Sequence, residues 1–146
     1  MDEKDGKLIE TLMENSGLSY RQIARETGIP ITTVYKRIRE MKAGGVIRRF
    51  TIDVDYAKVG KPLCEHILIS CDFKLLRELK KDQHALAKEI KRLPGIESVD
   101  VVTGEVDLAA KVRVRDVSEL DEFLVKKLDK TLGIDRTKTL VSIYEA

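Results

Sequence analysis

The chain has 146 residues and a formal net charge of +2, with 42% hydrophobic and 36% charged residues. That length allows one or two compact domains, and no apolar run approaches the roughly 18 residues that suggest a membrane span. The acidic start MDEKDGKLIE lacks the basic and then apolar layout of a signal peptide. These features argue against a membrane-spanning chain and predict a globular protein of the cytoplasm.

Cys64 and Cys71 stand seven positions apart in a segment that we predict to be extended. At about 3.3 Å per residue they lie roughly 23 Å apart and on opposite faces of a strand. That separation is too large for a disulfide within the strand, and the spacing is not that of a metal-binding pair. We therefore expect two buried thiols, with no metal and no cofactor.

Three short helices are predicted before residue 45. Apolar residues at helical spacing follow a run of acids, and they predict a first helix that ends near residues 15–17. The second helix begins at Ser19, whose capping-box partner is Gln22, and ends at Gly28. After a tight turn, Pro30 suits the first turn of a third helix.

The third helix carries a concentrated positive charge. Its apolar stripe contains Val34 and Ile38, so the step of about 100° per residue places Thr32, Lys36 and Arg39 on the opposite side. The same step places Arg37 near the buried flank of the helix. A tight turn between the second and third helices is the helix-turn-helix layout. A short polar residue followed by cations suits the major groove of DNA. A solvated basic surface is the alternative, but the capped second helix and the tight turn favour DNA binding.

The rest of the chain alternates strands and helices in the order βαββαβ, which predicts a ferredoxin-like antiparallel sheet with both helices on one face. A further strand in VIRRFTIDVD leads into YAKVGKP, which is typical of a linker. We place the boundary near Gly60, with a helix-turn-helix domain at 1–60 and a ferredoxin-like domain at 61–146. The predicted ferredoxin-like elements are strands 63–71, 96–103, 106–115 and 135–144, and helices 73–93 and 117–132.

One face of this predicted sheet is open, because both helices cover the other. In VDLAAKVRVR apolar and polar residues alternate cleanly, but Leu68, Leu140 and Tyr144 add apolar side chains to the open face. Apolar residues there suggest a partner, most simply a second copy of the chain. Scattered exposed apolar residues are the ordinary alternative.

Four segments together resemble the Lrp/AsnC (feast/famine) family of transcriptional regulators, with an archaeal source expected: DEKDGKLIETL, SYRQIARETGIPITTVYKRIREM, GVIRRFTI and VVTGEVDLAAKV. The resemblance covers nearly the whole chain. It implies an α+β protein in which a winged-type helix-turn-helix domain is joined by a strand hinge to a ferredoxin-like domain. It also implies sequence-specific binding of double-stranded DNA, a homodimer that can assemble into tetramers or octamers, and in many members an amino-acid effector.

The resemblance carries two sets of site residues onto this sequence. One set faces DNA, with hydroxyls and cations in the groove and an arginine at either end placed for phosphates: Arg21, Thr32, Thr33, Tyr35, Lys36, Arg39 and Arg48. The other forms an effector loop, in which a glycine turn offers N–H groups to a carboxylate and an acid meets an ammonium group: Thr103, Gly104, Glu105, Val106 and Asp107.

Two other functions are compatible with the same architecture. A tetrapyrrole (siroheme-type) decarboxylase needs a large pocket lined by polar and cationic residues, commonly with histidines. His66 and His84 are the histidines here, and they do not cluster in the sequence, so we expect no enzyme activity. A chromatin-like protein with little sequence preference is the second alternative. The ratio of specific to non-specific DNA affinity at fixed salt would distinguish it.

Overall fold

A computed structural model describes residues 1–145, which form two compact units, one of residues 1–54 and the other from residue 55 onward. The first unit is helical and the second is a four-stranded sheet with helices, which confirms the predicted α+β fold class. The elements in chain order are α1 Glu3–Glu14, α2 Tyr20–Thr27, α3 Ile31–Ala43, β1 Leu63–Cys71, α4 Phe73–Glu78, α5 Gln83–Lys91, β2 Ile96–Val101, β3 Leu108–Val114, α6 Val117–Phe123 and β4 Ile134–Val141.

The helix ends of the first unit follow local chemistry. Asp2 and Asp5 form a capping box at α1, and Ser19 and Gln22 form the predicted one at α2. Gly28 ends α2 in the left-handed conformation at φ 71°, which glycine adopts without the steric cost that a Cβ brings. This turn lets α3 begin only a few residues later, so that α2 and α3 form the predicted helix-turn-helix.

The core of the first unit lies between its three helices. Val34 and Ile38 of α3 are fully buried and pack with Leu8 of α1 and Ile23 of α2. Ile29, in the turn between α2 and α3, is also buried and closes this core. The apolar stripe of α3 therefore points inward as predicted, and its remaining faces point to solvent.

The strand predicted in VIRRFTIDVD does not form, and that prediction is wrong for the single chain. Residues 46–54 contain no strand, and the first unit offers no other strand to pair with. A β-strand needs a neighbour that accepts and donates its backbone hydrogen bonds. The segment nevertheless keeps its alternating apolar side chains, and Ile52 is 80% exposed.

The second unit has the ferredoxin-like strand order β2-β3-β1-β4, and all its neighbouring strands are antiparallel. Side chains of β1 and β3 that point to the helices are buried, including Ile67, Ile69, Leu108 and Val112. Positions between them, such as Leu68, stay partly exposed on the other face. The alternation of VDLAAKVRVR thus divides the sheet into a covered and an open face.

The long helix predicted at 73–93 is two helices, α4 and α5. Lys80 has a positive φ of 53°, which breaks the helical path because a right-handed helix requires a φ of about −60° at every residue. Asp82 then caps a new helix by accepting a hydrogen bond from Ala85 N at 2.7 Å. The prediction followed the apolar periodicity and overlooked this second capping residue.

The helix predicted at 117–132 begins at Val117 as expected, but its α-helical part ends at Phe123. After α6, residues Leu124–Leu128 form a π-helical segment, and β4 then starts at Ile134.

Among the described residues, no helix is long and apolar enough to cross a membrane.

Candidate nucleic-acid interface and effector loop

The outer face of α3 holds most of the predicted DNA-binding residues. Thr32, Tyr35, Lys36 and Arg39 are exposed, whereas Thr33 is half-buried. Lys36 has only a long contact to Glu40, at 3.9 Å, and both side chains remain largely in solvent. For Arg39 the described residues provide no acidic partner. The face therefore presents hydroxyl groups and available positive charge.

Arg37, also on α3, points toward the start of α1 instead of the outer face. Its guanidinium lies 2.9 Å from Asp2 and 3.4 Å from Asp5 at the start of α1. Asp5 is 5% exposed, so this arginine neutralises a nearly buried carboxylate while bridging α1 and α3. The prediction that Arg37 lies near the buried flank of the helix is confirmed.

Tyr35 contacts a residue that the sequence analysis missed. The rings of Tyr20 and Tyr35 meet edge to face with their centroids 5.5 Å apart, an arrangement that aromatic pairs favour. Tyr20 is the first residue of α2 and Tyr35 lies on α3, so the pair ties the two helices at the exposed surface. No sequence motif indicated it, because the contact depends on the angle between the helices.

Arg21 and Arg48 lie outside α3. Arg21 is exposed in the first turn of α2, and Arg48 is exposed in the extended segment after α3. Neither forms an ion pair with any acid of residues 1–145. Nearby, the Lys42 ammonium lies 5.3 Å from the centre of the Phe50 ring. Cations thus occur before, along and after α3.

The predicted effector loop joins β2 to β3. Thr103, Gly104 and Glu105 are exposed, while Val106 and Asp107 are half-buried. Gly104 has a φ of 132°, a backbone conformation that residues with a Cβ rarely adopt. The loop therefore needs its glycine for the turn itself, whatever it binds.

Asp107 has a structural partner already. One carboxylate oxygen accepts a hydrogen bond from Cys71 N at 2.8 Å, and Asp107 N donates to Ile69 O at 2.9 Å. These contacts hold the loop against the end of β1, where the pairing register shifts between Ser70 and Cys71. Burial, with the Asp107 charge beside it, raises the pKa of the Cys71 thiol to about 11.

A cavity of about 460 Å³ opens beside the effector loop. Glu105 and Val106 of the loop reach it, whereas Thr103, Gly104 and Asp107 do not line it. Its other walls come from neighbouring strands β1 and β4, because Leu68 pairs with Lys138 and Ser70 pairs with Arg136. The lining residues are Leu68, Ser70, Glu105, Val106, Arg136, Thr137 and Lys138.

A second polar cluster on the open face was not predicted. Arg113 is 7% exposed and donates to Glu97 at 2.8 Å and to both carboxylate oxygens of Glu145. Its guanidinium also lies 4.2 Å from the centre of the Tyr56 ring. Hydrogen bonds from Arg113 lower the pKa of Glu145 to about 2. Sequence alternation identified the face of Arg113 but gave no sign of partners so distant in the chain.

The two histidines do not form a common site. His66 lies on β1 and is exposed, and His84 lies in the first turn of α5, where its side chain is 66% exposed. Across the described part of the chain, no three His, Cys, Asp or Glu side chains come close enough together to hold a metal ion.

This geometry defines a class of protein. A helix-turn-helix whose second helix presents exposed hydroxyls and cations, followed by a ferredoxin-like unit, is the architecture of a DNA-binding transcriptional regulator. Comparison with family models gives the same assignment. Residues 1–48 match a winged helix-turn-helix DNA-binding model, and residues 71–146 match the Lrp/AsnC ligand binding domain. The chain belongs to the Lrp/AsnC family.

Relatives cover nearly the whole chain. An uncharacterized HTH-type transcriptional regulator of Pyrococcus horikoshii is 34% identical over 142 residues, which are 97% of this chain and 92% of the relative. An uncharacterized HTH-type transcriptional regulator of Pyrococcus abyssi is 33% identical over 142 residues, which are again 97% of this chain and 92% of the relative. Curated relatives from this archaeal genus make an archaeal source plausible for this chain.

Solved structures show the same fold. The AsnC protein of Escherichia coli has a TM-score of 0.81 and 25% identity, and the alignment covers 99% of this chain and 93% of AsnC. A regulator of Neisseria meningitidis in complex with L-methionine has a TM-score of 0.85 and 20% identity, with 99% and 91% covered. At that identity, the second comparison supports the fold alone.

Proposed function

We propose that the chain regulates transcription as a homodimer that binds a specific, pseudo-palindromic DNA site, that it has no catalytic activity of its own, and that an amino acid modulates its binding. In this proposal residues 1–60 bind DNA, while residues 61–146 form the dimer and bind the effector. The observation that carries it is the outer face of α3, where Thr32, Lys36 and Arg39 are exposed. Lys36 has only a long contact to Glu40, and no described acid pairs with Arg39.

The arrangement of charge supports insertion of α3 into the major groove. Hydroxyl groups near the start of the helix suit contacts to base edges, and the cations behind them suit guanine or phosphate. Arg21 and Arg48 flank the helix in the chain and suit the phosphate backbone on either side. Arg37 takes no part, because Asp2 and Asp5 already neutralise it.

Two surfaces with exposed apolar residues support the binding of a second copy of the chain. In the first unit, a groove of about 1250 Å³ runs between α1 and residues 46–53. Phe50 beside it is 44% exposed and Ile52 is 80% exposed. We expect the same segment of a second copy to pair with residues 46–54 as a strand, because this alternating sequence has no strand partner in its own unit. In the second unit, the open sheet face exposes 45% of Leu140. Tyr144, three residues beyond the end of β4, is 81% exposed.

The effector part of the proposal depends on the cavity beside the loop. The Gly104 turn reaches an unusual backbone conformation, and the cavity combines one acid with two cations and an apolar wall. Such a combination suits a small zwitterion. A ligand that prefers one assembly by about 1 to 3 kcal/mol would suffice to change DNA affinity.

Selection of bound fragments from a random DNA pool, followed by footprinting, tests the DNA-binding part. We expect two half-sites spaced at about 10 base pairs or a multiple of that distance, and specific affinity at least about a thousandfold above non-specific affinity at fixed salt. One isolated, asymmetric half-site bound at full affinity by a monomer would overturn the dimeric proposal. A ratio near one would favour the chromatin-like alternative.

The enzyme alternative has its own test. Siroheme absorbs visible light, so titration of the purified protein with siroheme reports binding directly. We expect no change in its spectrum. A stoichiometric spectral change followed by loss of carboxyl groups from the tetrapyrrole would overturn the assignment as a regulator without catalytic activity.

A further inference from the structure

Two cations lie beside the effector loop. Arg136 and Lys138 are exposed on β4 and line the cavity of about 460 Å³. Neither forms an ion pair with a described acid of this chain. Since these residues are two positions apart on one strand, their side chains leave the same face at points about 7 Å apart.

The cavity contains less negative charge than positive charge. Glu105 is the acid among its lining residues, and Asp107 is directed instead to Cys71 N at 2.8 Å. A neutral amino acid could place its ammonium group at Glu105 and its carboxylate at one cation. The other cation would then be left in the cavity with no anion opposite it.

We propose that this cavity selects an acidic amino acid, glutamate or aspartate, as the effector. Glu105 binds the ammonium group, Arg136 binds one carboxylate with its planar fork, and Lys138 binds the other as a point charge. Leu68 and Val106 contact the short carbon chain between the carboxylates. This inference rests on the effector site of the proposed function and adds the chemical class of its ligand.

The distribution of the two cations makes the selection specific. Glutamine has the shape of glutamate but leaves one cation without an anion, and lysine brings a second ammonium group in place of the second carboxylate. Succinate and glutarate provide two carboxylates but no ammonium group for Glu105. Each of these compounds therefore lacks one of the three expected interactions.

Calorimetric titration of the full-length protein tests the inference with L-glutamate, L-aspartate, L-glutamine, L-lysine and glutarate. We expect glutamate or aspartate to bind about tenfold or more tightly than the others, since one charged hydrogen bond separates them. Arg136→Gln and Lys138→Gln should each remove that preference. Lys130→Gln is the matched control, because Lys130 is an exposed cation outside the cavity.

Several outcomes would overturn the inference. If glutamine binds as tightly as glutamate, the effector site stands and its preference for acidic ligands does not. If glutarate matches glutamate and Glu105→Gln changes nothing, the cavity is a general anion site. If no amino acid binds at millimolar concentration, the effector part of the proposed function fails as well, while the footprint separately tests DNA binding. If Arg136→Gln weakens DNA binding without any amino acid, the two cations serve DNA phosphates.

Discussion

The outer face of α3 and the open face of the sheet both carry arginine, but in opposite environments. Arg39 on α3 is exposed, and no described acid pairs with it. Arg113 on β3 is 7% exposed and is surrounded by Glu97, Glu145 and the Tyr56 ring. The same side-chain type is thus available to a partner on one surface and engaged in internal contacts on the other.

This difference shows why the number of cations says little about DNA binding. The chain has 27 Lys and Arg residues against 25 Asp and Glu residues, so its overall charge is almost balanced. What separates the outer face of α3 from the Arg113 cluster is whether an acid lies close to each arginine. A polyanion can recruit only those cations that are not already paired.

The largest effect on stability should come from breaking the Arg113 cluster. Arg113→Ala leaves Lys111 as the one cation that bridges Glu97 and Glu145. We expect the substitution to lower the free energy of unfolding by about 2 to 4 kcal/mol. Urea denaturation at neutral pH measures the loss. Arg115→Ala, two residues further along the chain, is the control, because the Arg115 side chain is 70% exposed in its pair with Asp116. An exposed pair contributes about 0 to 1 kcal/mol, so equal losses in both variants would contradict the comparison.

The reverse behaviour is expected on α3. The double substitution Lys36→Ala and Arg39→Ala should leave the free energy of unfolding nearly unchanged and weaken DNA binding by roughly 1 to 3 kcal/mol. Each lost phosphate contact should also flatten the slope of log affinity against log salt by about 0.9. Fluorescence anisotropy at several salt concentrations separates the two kinds of contact.

The matched control removes the same charge from the other unit. Lys88 and Lys130 are exposed and have no ion pair with a described acid. Their double substitution to alanine should leave both affinity and slope close to those of the unmodified protein. If the control weakens binding as much as the α3 variant, the effect is one of net charge, and α3 has no special place in the groove.

Most of the fold could be predicted because its causes are local. The capping box of Ser19 and Gln22 and the glycine turn at Gly28 are written in short stretches of sequence, and the structure contains both. The alternation in β3 likewise predicted which side chains the helices cover. Errors arose where two local rules competed, as at Lys80 and Asp82, where apolar periodicity continued across a helix break.

The candidate sites were less predictable, because partners distant in the sequence decide what a side chain can do. Helical spacing was enough to separate Arg37 from Arg39 on α3. Nothing local could indicate that Glu145 reaches Arg113, or that Arg136 and Lys138 line a cavity with Glu105. The strand expected at residues 46–54 failed for a related reason, since its pairing partner is not part of its own unit.

A smaller effect tests the division of roles within α3 itself. Arg37→Ala should destabilise the first unit by about 1 to 2 kcal/mol, because Asp5 is nearly buried and would lose its charged partner. Circular dichroism recorded during thermal unfolding measures this loss. Arg39→Ala, two residues away, is the control and should unfold like the unmodified protein. A stable Arg37→Ala protein with reduced DNA affinity would instead place Arg37 among the groove residues.

The smallest effect concerns Glu65, whose carboxylate is buried without a hydrogen-bond partner. Glu65 is 0% exposed on β1, and neither of its carboxylate oxygens has a hydrogen-bond partner in the structure. Burial raises the pKa of this carboxyl group above its usual value of 4.5, and the positive charge of Arg113 partly opposes that rise. A raised pKa means that the folded state holds the proton more tightly than the unfolded state does. The contribution to stability is therefore complete below the unfolded pKa and is lost as the pH rises through the folded value.

Glu65→Gln removes this titration while keeping nearly the same shape. At pH 8 we expect the variant to be more stable than the unmodified protein by about 1 kcal/mol, because an unpaired charge no longer has to be buried. At pH 4 the two proteins should be closer in stability, since Glu65 is then largely neutral in both the folded and the unfolded state. The quantity to measure is the difference between the two proteins in urea denaturation across this pH range, because other carboxylates titrate equally in both. A difference that stays constant with pH would show that Glu65 finds a partner when the chain assembles, and would place this residue with Arg113 among the charges that internal contacts satisfy.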